Sequence, residues 1–170
     1  MRKTRVGMML GCCFLALTVL AWAQMHRKAG LWEVTSSMTW QQSPMPPGMQ
    51  APPGSPFSGA PHTNLVCVTQ AQIDQYGGPP PQTHGNCQVT GFQMRPDGMN
   101  AAIACTGQVA GDGTVEGSWS DPDHARVKVH FTGTMTMGQN SRPIEWTMDM
   151  HSMFKSSDCG NIRPAGGTGY

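Results

Sequence analysis

Between Cys87 and Lys155 the chain is cut at short intervals by turn sequences. These are Pro96-Asp97-Gly98, Gly111-Asp112-Gly113, Asp121-Pro122-Asp123 and Gly138-Gln139-Asn140-Ser141. Glycine supplies the backbone conformations such turns need, proline presets φ, and Asp or Asn bonds its own backbone. The segments between them read as strands over about Cys87–Arg95, Met99–Gln108, Thr114–Ser120, Arg126–Met137 and Ile144–Lys155. In two of these the period of two is clean. Val127, Val129 and Phe131 oppose Lys128, His130 and Thr132, while Ile144, Trp146, Met148 and Met150 oppose Glu145, Thr147, Asp149 and His151. One wet face and one dry face mark antiparallel strands over a single core. The expected fold class is therefore mainly β: a single antiparallel meander sheet curled into a small barrel or sandwich, with one short helix and a Pro-rich loop.

Upstream of the meander, Gly30 to Trp40 reads as a first strand with Trp32, Val34, Met38 and Trp40 on one parity. Residues 43–61 then carry seven prolines and three glycines with no apolar period. Such a stretch cannot pair in a sheet, and a flexible Pro/Met-rich loop is expected. A second strand is read at His62 to Val68. Thr69 and Gln72 form a capping box, Val68 and Ile73 are spaced as a hydrophobic staple, and Gly77 can end the helix, so a two-turn helix is predicted over Gln70 to Tyr76. Residues 160–170 offer nothing to bury and read as a flexible tail.

The N-terminus carries a different message. Arg2, Lys3 and Arg5 precede an uncharged apolar run from Val6 to Trp22, which closes on Ala21-Trp22-Ala23. This is the pattern of a cleavable signal peptide over residues 1–23. The run of 17 residues lies at the lower limit for a membrane span, and polar sequence follows it at once. The reading is therefore export, to the periplasm or outside the cell, with no membrane span after cleavage and one domain over residues 24–159. Loss of the three basic residues leaves eight Lys+Arg against ten Asp+Glu. A mature chain without a basic patch is not a nucleic-acid partner.

Four of the six cysteines stay in the mature chain: Cys67, Cys87, Cys105 and Cys159. An even number in an exported chain predicts two disulfides, with three connectivities open. Cys67–Cys87 with Cys105–Cys159 is favoured, because the first pair brackets one local excursion. No Cys-x-x-Cys occurs, and the spacings suit no zinc motif.

The opening Gly30-Leu31-Trp32-Glu33-Val34-Thr35, the stretch Met45-Pro46-Pro47-Gly48-Met49, Cys67-Val68-Thr69, Cys87, Cys105-Thr106-Gly107 and Asp158-Cys159 together resemble the exported bacterial domain-of-unknown-function family 3617. The resemblance spans nearly the whole mature chain. It departs from the pattern at Ser157, where a glycine is expected, and in a longer tail. It implies the compartment and a single domain, and brings no activity, cofactor or site residue with it.

Chemistry-bearing patterns are sparse. Glu33, Glu116, Glu145 and Asp149 sit on predicted strands with no spacing that forces two carboxylates together. No Gly-x-Ser-x-Gly, His-Glu-x-x-His, phosphate-binding glycine loop or free thiol is present, so no catalytic residue is nominated. Asp121, Asp123 and His124 share a turn, where carboxylate-to-backbone bonding is the ordinary reading. Eleven methionines remain after cleavage. Thioethers with imidazoles suit Cu(I) in an oxidising compartment, and Met45 and Met49 are the pair least explained by packing. Trp32 and Trp146 read as core. The expectation is a non-enzymatic binding or interaction module of the cell envelope, with no cofactor and a small apolar ligand as its partner. The alternatives are a Met/His copper-binding protein and, behind it, an enzyme of unknown reaction.

Overall fold

The computed structural model describes residues 27–45, 55, 58–80, 86–164 and 166. The signal-peptide reading lies outside these residues, as do most of the Pro-rich loop and Met49. Seven strands and one helix follow one another: β1 (Gly30–Gln42), β2 (His62–Val68), α1 (Gln70–Tyr76), β3 (Cys87–Arg95), β4 (Gly98–Cys105), β5 (Val109–Asp121), β6 (His124–Met137) and β7 (Asn140–Ser156). All seven strands form one antiparallel sheet in the order β2-β1-β7-β6-β5-β4-β3. The meander from β3 to β7 is as expected. The first strand then lies against the last, and β2 takes the outer position.

The sequence parity sets the two faces. Val127, Val129 and Phe131 of β6 stand opposite Met150, Met148 and Trp146 of β7. Met148 and Trp146 in turn stand opposite Met38 and Trp40 of β1. These residues share one apolar face. The other carries cross-strand ion pairs, with Lys128 to Asp149 at 3.6 Å, His130 to Glu145 at 3.0 Å and Lys155 to Glu33 at 3.2 Å.

Three expectations are corrected. First, the ladder ends at β2 and β3, which do not pair among the described residues, so the seven strands make one sheet that is not closed into a barrel. It is nevertheless bent, since Val34 of β1 and Val89 of β3, with four strands between them, line one cavity. Helix α1 bridges the gap: Ile73 packs with Trp32 and Val68, and the Tyr76 ring meets Phe92 of β3 edge-on at 5.9 Å.

Second, Gly111-Asp112-Gly113 is strand rather than turn. β5 begins at Val109, and Gly111 lies opposite Gly133 of β6. A Cβ on Gly111 would collide with the Thr132 carbonyl oxygen, and one on Gly133 with that of Ala110. The glycines are there for close backbone approach between neighbouring strands. β5 thus has 13 residues and takes in the expected Thr114–Ser120 strand.

Third, the favoured disulfide pairing is replaced. Cys67 bonds Cys159, and Cys87 bonds Cys105. Register decides it: Cys87 stands directly opposite Cys105 across the β3–β4 hairpin. The end of β2 meets the start of β1, and β7 ends beside that same corner, which brings Cys159 to Cys67. Beyond Cys159 the chain turns back, and Pro164 bridges to Cys67 in parallel.

Candidate functional site: an apolar cavity under the helix

The apolar face holds two packed clusters, near opposite ends of β1 and β7. One is Trp32, Val68 and Ile73, joined by Ala29, Val66 and Phe154. The other is Cys105, Phe131 and Ile144, joined by Trp40, Ile103 and Trp146 among others. Between them lies a cavity of about 300 Å³. Its walls are aliphatic and aromatic, with Val34, Val89, Ala101, Val115, Val129 and Met150 as typical members. That volume sits at the lower end of small-molecule sites, roughly 300–1,000 Å³.

Local sequence explains each side of this chamber. The helix cap is the one predicted: the Thr69 hydroxyl accepts from the Gln72 N–H at 3.3 Å, and the Gln72 side chain accepts from the Thr69 N–H at 2.9 Å. Gly77 closes the helix in the left-handed conformation at φ 69°, and a side chain there would meet the Trp119 ring. The following Gly78, Pro79 and Pro80 also border the cavity.

On β3, register breaks between Thr90 and Gln93. Gly91, at φ 61°, allows a bulge that reverses the parity, so both Val89 and Phe92 reach the cavity. Phe92 and Tyr76 were not read as site residues. An isolated glycine inside a strand pattern was the available signal.

Arg27 was missed as well. It is 9% exposed and is the only charged residue among those described that line the cavity. Its guanidinium lies 4.6 Å from the Trp32 ring centroid and 5.5 Å from that of Trp119. Nη1 donates to the Gly77 carbonyl, while the buried Nε has no hydrogen-bond partner among the described residues. The indole N–H groups are used elsewhere, Trp32 on the Lys28 carbonyl at 3.0 Å and Trp119 on that of Pro96 at 2.9 Å. Their ring faces are therefore left for the cation. Burial pulls the Arg27 pKa down to about 10, still charged at neutral pH. Burying such an ion costs several kcal/mol, whereas each cation–π contact returns about 0.5–2 kcal/mol.

The nominated residues fall elsewhere. Met45 is described, with its N–H donating to the Ser43 hydroxyl at 3.2 Å, whereas Met49 is outside the described residues. Met38 and Met148 stand opposite each other on the apolar face, and Met99 and Met150 line the cavity. Asp121 accepts from the N–H groups of Asp123 and His124, both at 2.8 Å, and pairs with the His124 ring at 2.9 Å. The His124 bond, reinforced by the backbone donors, holds the Asp121 carboxyl below its ordinary pKa. Among the described residues no group of three His, Cys, Asp or Glu side chains is placed to hold a metal ion. A larger groove of about 730 Å³ opens on the polar face, bordered by Glu33, Thr35, Ser118, Arg126 and His151. It is more open to solvent than the apolar chamber, and much of its rim carries polar or charged side chains.

A family model described as a protein of unknown function, DUF3617, matches residues 27–159. The chain belongs to that family. The matched span contains the whole sheet up to Lys155 and Ser156, helix α1, Arg27 and all four paired cysteines. No curated protein and no solved structure matches the chain. Among the described residues no helix is long and apolar enough to cross a membrane.

Proposed function

We propose that this DUF3617 member is a periplasmic or secreted, non-enzymatic binding module that holds one small, mainly apolar ligand in the chamber under α1. The observation that carries the reading is the 300 Å³ cavity, enclosed by the bent sheet and the helix and lined by side chains from six strands. A fully packed core would leave no such space, since protein interiors hold few voids larger than a water. Met99 and Met150 in the wall suit a ligand of irregular shape, because thioethers repack easily. The two disulfides and the absence of a spanning helix among the described residues are compatible with life outside the cytoplasm.

The test is binding of a neutral apolar fluorophore, N-phenyl-1-naphthylamine, to protein exported and purified without detergent. Wild type is expected to bind it, and Val115→Phe, which fills the chamber, is expected to weaken binding at least tenfold. Circular dichroism confirms that the variant folds. A wild-type protein that binds no fluorophore and carries no small molecule in native mass spectrometry would remove the reading.

A further inference from the structure

We infer that the ligand is an anionic amphiphile, whose acidic head group pairs with Arg27 while its apolar chain fills the chamber. The inference rests on the binding-module reading above and adds the chemical class of the occupant. Arg27 is a buried cation with an unpartnered Nε–H, and it sits in the wall of the cavity. Among the described residues the ion pairs of Lys28, Lys128 and Lys155 use Asp123, Asp149 and Glu33, and no carboxylate lies at ion-pair distance from Arg27. Trp32 and Trp119 attract the charge without neutralising it.

A planar guanidinium fork matches a carboxylate or a phosphate oxygen pair, and such charge-assisted bonds are among the strongest available in a dry site. A neutral ligand would leave the cation uncompensated, and a cationic one would meet repulsion. The remainder of the chamber points to the tail. Val34, Val127, Val129, Ile103 and Ala101 carry no polar side-chain atom, and the volume holds about ten water-sized groups. One charge in the wall of an otherwise apolar chamber fits a medium-length chain with a single acidic head.

The probes are decanoate, decyl phosphate, decanol and inorganic phosphate, each competing with N-phenyl-1-naphthylamine on the full-length exported protein. Decanoate or decyl phosphate is expected to displace the fluorophore at concentrations at least tenfold below decanol, and whichever is tighter assigns the head group. Inorganic phosphate alone is expected to displace nothing. Arg27→Met is expected to abolish the preference for the anion while still binding the fluorophore. Should Arg27→Met fail to fold, the arginine Nε–H resonances of ¹⁵N-labelled wild type supply the second measurement. One of them is expected to shift on adding decanoate and to stay put on adding decanol. Equal displacement by decanol and decanoate, or displacement by inorganic phosphate alone, overturns the anionic amphiphile but leaves the chamber standing. Absence of fluorophore binding overturns the chamber itself.

Discussion

The two ends of the apolar face are closed by different means. At the Phe131 end the sheet's own side chains fill the core: Phe131, 1% exposed, stacks on Trp146 at 5.4 Å, and Cys87–Cys105 staples neighbouring strands through cysteines only 18 residues apart. At the Trp32 end, closure needs pieces from distant parts of the chain. Arg27 comes from before β1, Ile73 from α1 and Gly77 from just after it, Phe154 from the end of β7, and Cys67–Cys159 joins residues 92 apart. Both are packed cores, the first built within the sheet and the second gathered from remote segments. On the binding reading proposed above, the segments outside the sheet can part without unpairing it, which places ligand access at the helix end.

The largest expected effect separates the two staples. Replacing Cys67 and Cys159 by serine removes a crosslink spanning 92 residues and should cost about 4.5 kcal/mol by chain entropy, against about 3 for the 18-residue Cys87–Cys105 loop. Urea unfolding of the two double variants under oxidising conditions measures the gap. A smaller loss from the Cys67–Cys159 variant would break the view that the helix end depends on long-range tethering. Next, Phe131→Ala should cost roughly 3–5 kcal/mol, the usual range for emptying a buried aromatic site. Folded Phe131→Ala should still bind the fluorophore, because Phe131 is absent from the cavity wall. Loss of binding there would show that the two ends act as one unit. The smallest effect is Thr69→Ala, which deletes the helix cap and should cost about 1 kcal/mol. Hydrogen exchange should report faster opening confined to α1 and its surroundings, with the β6–β7 amides unchanged.

Legibility followed the range of the interactions. The Thr69–Gln72 box and the Gly77 terminator act within one or two turns, and the sequence-based bounds of the helix match those observed. β2 and β3 were likewise read to their observed ends, and the face assignments of β6 and β7 hold throughout their pairing. Errors arose where one residue type serves two purposes. Gly111 and Gly113 looked like turn glycines because the same missing Cβ that frees φ also admits a neighbouring backbone. Proximity in sequence suggested Cys67–Cys87, whereas a disulfide requires proximity in space, and β-register supplies that. Arg27 was illegible for a related reason. A basic residue before a strand, here Arg27 beside Lys28, reads as solvated until Trp32, Trp119 and the Gly77 carbonyl gather around it.

Periodicity and local capping, then, belong to the chain taken by itself. Side-chain alternation and helix caps are settled by neighbours a few residues away, so these features survive in one dimension. Strand order, the sulfur pairing, the unclosed edge and the chamber with its buried guanidinium were decided in three dimensions. Each depends on which remote segments come to rest together, and that is a sum over long-range contacts no short window of sequence contains.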